Sequence, residues 1–165
     1  MLIDIRCAGQ DGARTFSGKA DLRDLRLWGQ TPFPQPVEIE GSLTLRHGRV
    51  VLDYKVHYAL SVTCARCLSE VFSDSCMFGT SHQVSENPDD SDRDDVIPAP
   101  GGMVDMAQLV GDDLLLLYTQ PIFCRWDCKG LCPQCGTDLN ASQCGCSEQR
   151  KVDSRFAALL DLIEE

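Results

Sequence analysis

Cysteine is the residue type in this sequence with the clearest capacity for chemistry. The chain has ten cysteines among 165 residues, and five of them lie in the stretch CKGLCPQCGTDLNASQCGC at 128–146. The sequence predicts a cytoplasmic protein, because its start lacks a basic and apolar secretory signal and no apolar run approaches the roughly 20 residues that span a bilayer. Disulfides are rare in that compartment, so clustered cysteines there are typical of metal ligands.

The later cysteines form a local set of four ligands. The segment Cys132-Pro-Gln-Cys135-Gly has the spacing of a zinc knuckle, a tight turn that points both sulfurs at one ion. Gly136 can adopt the positive φ that such a turn needs. Cys144 and Cys146, separated by one glycine, supply two further thiolates. We call Cys132, Cys135, Cys144 and Cys146 the second tetrad.

A first tetrad is predicted from cysteines that lie far apart in the chain. Cys64-Ala-Arg-Cys67 is a knuckle, and Cys124 and Cys128 lie in a loop after Pro121. This grouping completes two sets of four, so the sequence predicts two structural zinc ions, each fully coordinated. Four thiolates can also hold an iron–sulfur cluster, and this alternative stays open. Cys7 and Cys76 remain, and we expect them to be small core residues.

Alternating apolar residues predict the strands that position the first knuckle. Residues 37–45 and 50–62 both alternate, and Gly48 lies between them where a tight turn needs it. The segment 70–82 resumes an extended pattern, so the first knuckle is predicted at the tip of a hairpin. Residues 2–7, LIDIRC, are a further predicted strand.

Helices are predicted only after an acidic segment. Between Glu86 and Asp95 there are six acidic residues and one arginine, which predicts a disordered loop over 83–104. A helix is predicted to begin at Asp105, a capping residue, and to end before Pro121. Its apolar stripe is Met106, Leu109, Val110, Leu114 and Leu117. A second helix is predicted after Asp153, with the stripe Phe156, Leu159, Leu160 and Ile163.

These patterns predict an α+β fold, an antiparallel β-sheet meander with two helices and a C-terminal cysteine-rich zinc-knuckle region. The predicted organisation is a β-rich core over 1–82, the acidic loop over 83–104, and the helices with the cysteine segment over 105–165. The first and third parts are expected to pack as one domain.

Charge and residue types narrow the function classes. The net charge of -10 repels nucleic acid over most of the surface, so any contact with RNA has to be local. The three histidines lie outside the cysteine-rich segments, and His57 falls on the solvent face of a strand. Two complete tetrads leave no open coordination position, so the sequence predicts a protein that is not an enzyme, with no catalytic residues.

Five segments, in this order, resemble one known family. They are CARCL at 64–68, VDMAQLVGDDLLLLYTQPIFC at 104–124, DCKGLCPQCGTDLN at 127–140, CGC at 144–146 and DSRFAALLDL at 153–162. The chain resembles the YceD-like family, the large ribosomal RNA subunit accumulation proteins, over about residues 37–165. The resemblance implies a role in accumulation or processing of 23S ribosomal RNA, and hence in ribosome biogenesis. It also favours the grouping of the first tetrad, since family members that lack the later cluster keep the CxRC knuckle with its partners near 124 and 128.

The predicted partners are ribosomal RNA or a pre-ribosomal particle, and no membrane. Basic residues on or near the cysteine segments are the candidate RNA contacts: Arg66, Arg125, Lys129, Arg150, Lys151 and Arg155. An alternative is that these charges only offset the negative metal sites. A second function hypothesis is a zinc-stabilised adaptor that binds basic ribosomal proteins through acidic surface. A third is an RNA-processing hydrolase.

Overall fold

The computed structural model describes residues 1–8, 12–88 and 96–146. Within these residues the chain forms seven strands and one α-helix. In chain order they are β1 Leu2–Asp4, β2 Arg14–Ala20, β3 Val37–Arg46, β4 Arg49–Thr63, β5 Glu70–Ser85, β6 Val96–Pro98, β7 Met103–Asp105 and α1 Met106–Leu117. Short 3₁₀ helices occupy Ile5–Cys7 and Pro100–Gly102.

Five strands form the main sheet, in the order β2-β3-β4-β5-β6. Strands β2 to β5 are antiparallel neighbours, as a meander requires. The predicted antiparallel meander describes these four strands, but the fifth strand departs from it, because β6 pairs with the end of β5 in parallel, with Gln83 opposite Val96. Strand β6 has only three residues, too few to show the alternation that reveals a strand in a sequence. Strands β1 and β7 form a separate antiparallel pair.

The long central strand β4 carries the core of the sheet. Alternate side chains point to one face, as predicted, while His57 is exposed on the other face. The turn between β3 and β4 contains His47 and Gly48, both with positive φ, which matches the twist of a two-residue hairpin turn. The buried side chains of β4 are Leu52, Tyr54, Val56, Tyr58, Ala59, Leu60 and Val62.

Helix α1 packs on the core face and begins where the sequence predicts. The Asp105 side chain accepts a hydrogen bond of 2.9 Å from the Ala107 backbone N–H and caps the first turn. Leu109, Val110 and Leu114 are buried. Leu117, which was also predicted to lie on the buried face, is half exposed. The helix ends at Leu117, before Pro121.

A long connection between β2 and β3 completes the core and was not predicted. Leu22 and Phe33 are buried in the core cluster with residues of the sheet, and Leu27 is also buried. The Pro32 carbonyl accepts a bond of 2.8 Å from the Ser61 backbone N–H, and the Gln30 side chain accepts one of 2.7 Å from Thr63. Strand β2 was also not predicted, because its sequence RTFSGKA lacks a run of β-branched residues.

Two further expectations concern segments that the structure describes in part. The loop predicted over 83–104 is shorter, because Gln83–Ser85 complete β5 while β6 and β7 occupy much of 96–105. The second predicted helix, after Asp153, lies outside the described residues. Within the described part of the chain, no helix has the length and apolar character needed to cross a membrane.

Candidate metal centre

The first tetrad is assembled from two distant parts of the chain. Strands β4 and β5 place Cys64 and Cys67 at the hairpin tip, and the segment after α1 brings in Cys124 and Cys128. The four sulfurs all lie within 4.8 Å of one another. Cys64 Sγ is 3.9 Å from Cys128 Sγ, and Cys67 Sγ is 3.6 Å from Cys124 Sγ. Cys124 is exposed, and the other three cysteines are buried.

The second tetrad is local, with its four sulfurs also within 4.8 Å of one another. Cys132 is buried, Cys135 is exposed, and Cys144 and Cys146 are half buried. The structure therefore brings together the same eight cysteines, in the same two groups, that the sequence predicts.

These sulfur positions fit one tetrahedral ion in each tetrad. Four sulfurs bound at about 2.3 Å to a tetrahedral ion lie about 3.8 Å apart, close to the 3.6 Å and 3.9 Å separations of the first tetrad. All ten cysteines are free thiols, and a disulfide would need sulfurs about 2.05 Å apart. An iron–sulfur cluster binds its thiolates on different irons and spreads them further than a single ion does.

The two knuckles have the same backbone hydrogen bonds. In the first, the Cys64 N–H donates to the Ser69 carbonyl at 2.8 Å and the Leu68 N–H donates to the Cys64 carbonyl at 3.0 Å. In the second, the Cys132 N–H donates to the Thr137 carbonyl at 2.8 Å and the Gly136 N–H donates to the Cys132 carbonyl at 2.9 Å. Both turns thus fold as one motif, although only the second contains a glycine.

A hydroxyl two residues after the second cysteine is part of this motif. Cys67 Sγ is 3.0 Å from Ser69 Oγ, and Cys135 Sγ is 3.2 Å from Thr137 Oγ1. Sequence reasoning missed both hydroxyls, although the shared pattern CxxCx[ST] carried the signal. Such groups orient metal ligands and stabilise their charge.

Hydrogen bonds lower the thiol pKa within the knuckles. Burial works to raise the pKa of Cys64, but backbone N–H donors, led by that of Cys67, lower it to about 6. The Ser69 hydroxyl lowers the pKa of Cys67, and the Thr137 hydroxyl leads the groups that lower that of Cys135 to about 6. Each knuckle therefore offers thiolates, the form that binds metal.

In each tetrad, a cysteine outside the knuckle has a raised pKa and holds its proton beside these thiolates. Burial, and then the neighbouring Cys67, raise the pKa of Cys124 to about 12. The adjacent Cys135 raises the pKa of Cys146 to about 12. Four sulfurs this close cannot all ionise without a cation, so metal binding would displace protons mainly from these outer ligands.

Asn140 links the two tetrads. Its Nδ2 donates to Cys128 Sγ at 3.5 Å, and its Oδ1 accepts from the Lys129 backbone N–H at 2.8 Å. The Leu131 N–H donates to the Arg66 carbonyl at 3.1 Å. Gly130 allows this segment to lie so close to the Arg66 backbone, because a Cβ at residue 130 would lie 3.0 Å from that same carbonyl oxygen.

The basic residues predicted to contact RNA differ in their surroundings. Arg66 joins the two halves of the first tetrad, since its Nη1 donates to the Cys128 carbonyl at 3.0 Å and its guanidinium lies 4.3 Å from the centre of the Phe123 ring. Arg125 is exposed and lies 3.5 Å from Asp127, and Lys129 is exposed. Arg150, Lys151 and Arg155 lie outside the described residues.

Trp126 is a candidate contact residue that sequence reasoning missed. It lies between the ligands Cys124 and Cys128, next to Arg125, and is 91% exposed. An exposed indole on a loop held by two metal ligands is unusual, because large aromatic side chains normally bury most of their surface. The position of this tryptophan between two basic residues was the signal available in the sequence.

The two cysteines outside the tetrads differ in burial. Cys76 packs partly buried against the core, as expected, whereas Cys7 is exposed. Partly buried polar contacts also occur under α1, where His82 Nε2 lies 2.6 Å from Asp113 Oδ2 and the Tyr54 hydroxyl donates to the same oxygen. This cluster contains no residue of either tetrad and was not predicted.

Fold and site together define a mixed β-sheet protein with two four-cysteine centres. The profile of the family described as "Large ribosomal RNA subunit accumulation protein YceD" matches residues 52–163, more than half of the chain. This protein therefore belongs to the YceD family.

Two relatives illustrate the match. The "Large ribosomal RNA subunit accumulation protein YCED homolog 1, chloroplastic" of Zea mays is 29% identical over 142 residues, which cover 67% of this chain and 48% of the relative. An uncharacterized protein of Mycobacterium bovis is 33% identical over 103 residues, covering 61% of this chain and 49% of the relative. The chain thus spans about half the length of the curated relatives that it matches. No solved structure matches it.

Proposed function

We propose that this protein is a non-enzymatic assembly factor of the large ribosomal subunit, which supports accumulation or processing of 23S ribosomal RNA in the cytoplasm. Membership of a family named for accumulation of large-subunit ribosomal RNA carries the proposal. Two closely packed cysteine tetrads support it, because they serve to fold and present a surface rather than to activate water.

We propose that each tetrad holds one zinc ion. The sulfur separations fit a single tetrahedral ion, and zinc is the usual ion in sites of four cysteines. Elemental analysis of protein purified without added metal should find about two equivalents of zinc. Iron with acid-labile sulfide would overturn this assignment.

The proposed RNA contact lies on the segment from Cys124 to Lys129, which includes two ligands of the first tetrad. Trp126 offers a flat, exposed ring on which an unpaired base can stack, and Arg125 and Lys129 lie near it for phosphate contact. Arg66 is a weaker candidate for RNA contact than Arg125 and Lys129, since its guanidinium already bonds to the Cys128 carbonyl and lies over the Phe123 ring.

The proposal is tested on pre-ribosomal particles. Cells that lack the protein should accumulate less mature 23S RNA, and the tagged protein should sediment with large-subunit precursors. Replacing Arg125 and Lys129 with Ala should weaken this association while zinc content stays unchanged. A wild-type protein that never sediments with such particles, in cells whose 23S RNA is normal without it, would refute the proposed function.

A further inference from the structure

A groove beside α1 belongs to neither tetrad. One wall is a single helix face, made by Asp105, Gln108, Leu109, Asp112, Asp113 and Leu116. The opposite wall comes from β1, β6 and β7 and is mostly apolar, with Leu2 and Ile97 among its side chains. The groove is open to solvent on one side and has a volume of about 560 Å³. We call this feature the α1 groove.

Two of the apolar side chains that line the α1 groove are unusually open to solvent. Leu116 is 69% exposed and Leu2 is 64% exposed, one on each wall. Exposed leucines that face a common groove mark a contact surface more often than isolated ones do.

The ionisable side chains that line the α1 groove are all acidic. Asp112 is exposed, and the Asp113 carboxylate is held in place by bonds to Tyr54 and His82 on the sheet. Among the described residues that line the groove, none is Lys, Arg or His. His82 lies on the sheet side of Asp113 and offsets part of its charge when protonated. The N-terminal ammonium of Met1 lies 3.4 Å from Asp105 Oδ1 and offsets the charge of that carboxylate. The exposed Asp112 therefore carries the charge that is most open to a ligand.

We propose that the α1 groove binds an extended peptide segment in which lysine or arginine alternates with large apolar side chains. The lining face of α1 runs from residue 105 to residue 116, about 17 Å at 1.5 Å per residue, which accommodates about five residues of extended peptide. Alternate side chains of such a peptide would contact the leucines, and the cationic ones would reach the aspartates.

A peptide fits this surface better than RNA does. Carboxylates at Asp112 and Asp113 repel phosphates, whereas ammonium and guanidinium groups form charge-assisted hydrogen bonds with them. The identification of the bound peptide as part of a ribosomal protein rests on the proposed function. The proposal that the groove binds a basic and apolar peptide does not.

Binding can be measured with the full chain and a labelled synthetic peptide that alternates lysine and leucine. Fluorescence anisotropy should detect binding that weakens with salt. Asp112→Lys and Leu116→Ser should each weaken it roughly tenfold, equivalent to about 1.4 kcal/mol. Both side chains are exposed, so the fold should persist, which circular dichroism can verify.

Two controls make the result specific. Met77→Ser alters an equally exposed side chain on the other face of the main sheet and should not change binding. A peptide with glutamate in place of lysine should not bind. Absence of binding to the full chain, equal binding by the three variants, or equal binding of the glutamate peptide would each overturn the proposal. Loss of a homodimer in the Leu116 variant would instead assign the groove to a second copy and overturn it as well.

A photoreactive residue at Gln108 separates this inference from the proposed function. A crosslink to a ribosomal protein in cells would support both. Peptide binding in vitro with crosslinks only to other basic proteins would leave the groove assignment standing and count against the proposed function. Particle association without peptide binding would support the proposed function and count against the groove assignment.

Discussion

The residue that follows each knuckle sets the direction of its turn. Leu68 has φ +61° and Gly136 has φ +73°, both in the left-handed region. Glycine adopts this region freely, whereas a side chain adds strain. The first knuckle tolerates leucine because the long strands β4 and β5 hold both of its ends, while the ends of the second are joined, among the described residues, only by the isolated bridge between Leu131 and Asp138 and the bonds beside it.

Gly136→Ala should therefore weaken metal binding at the second tetrad. No atom lies within 4 Å of the added Cβ, so the effect comes from the backbone alone. A cost of about 1 kcal/mol corresponds to a loss of affinity of roughly fivefold, measurable by competition with a zinc chelator. Gly145→Ala is the matched control, because that site also has open space but lacks a positive φ. Equal losses in the two variants would contradict this explanation.

At the scale of elements, two hydroxyl contacts attach α1 and the segment after it to β4. Tyr54 donates to Asp113, and the Tyr58 and Tyr118 hydroxyls lie 2.7 Å apart. Burial, and then the bond to Asp113, raise the pKa of Tyr54 far above its usual range, so its hydroxyl remains a donor at neutral pH. One contact thus involves a carboxylate and the other joins two neutral groups.

Tyr54→Phe should destabilise the fold more than Tyr58→Phe. Hydrogen bonds to charged groups contribute about 1.5–3 kcal/mol and neutral ones about 0.5–1.5 kcal/mol. Both substitutions keep the ring and its packing, so the free energies of unfolding from urea titrations compare the hydroxyls directly. Equal destabilisation would show that His82 alone holds the Asp113 carboxylate.

At the scale of the whole molecule, the tetrads differ in what they connect. The first joins the β4–β5 hairpin to the segment after α1, across 64 positions between Cys64 and Cys128. The second closes a local loop between 132 and 146. Metal binding is coupled to folding in proportion to the structure that it holds together.

Cys67→Ser should consequently lower the global melting temperature more than Cys135→Ser. A difference of about 2 kcal/mol corresponds to about 4–8 °C for a chain of this size. Calorimetry on zinc-loaded protein measures the shift, and zinc content should fall by one equivalent in each variant. Equal losses of melting temperature, or a larger loss for Cys135→Ser, would indicate that Asn140 and its neighbours couple the second tetrad to the core as strongly as the first tetrad is coupled.

The acidic segment should oppose contact with RNA. Its deletion is a poor test, because β5 and β6 pair in parallel and need a connection that returns along the sheet. Replacing Asp89, Asp90, Asp92, Asp94 and Asp95 with Asn keeps the length and removes the charge. RNA retention at low salt should rise modestly and the gain should disappear at high salt, as screening requires. Weaker retention on particles would instead favour attraction of a basic protein by this segment.

The amino-acid sequence by itself determined the local features of this protein. Alternation in β3 and β4 predicted both strands, because a two-residue period places every apolar side chain on one face. Asp105 marked the start of α1 through a bond that spans only two residues. The second tetrad followed from spacing alone, since a CxxC turn and a nearby cysteine pair can meet without help from the rest of the chain.

Only the tertiary structure decided the contacts between distant segments. The parallel pairing of β6, the cover provided by Leu22 and Phe33, and the cluster of Asp113 with Tyr54 and His82 depend on where the chain returns. The α1 groove arises in the same way, because its lining combines β1, at the start of the chain, with β6, β7 and α1, about 95 residues later. Periodicity records which face of an element is apolar, but it does not record which element will cover that face, since many apolar partners satisfy the same pattern.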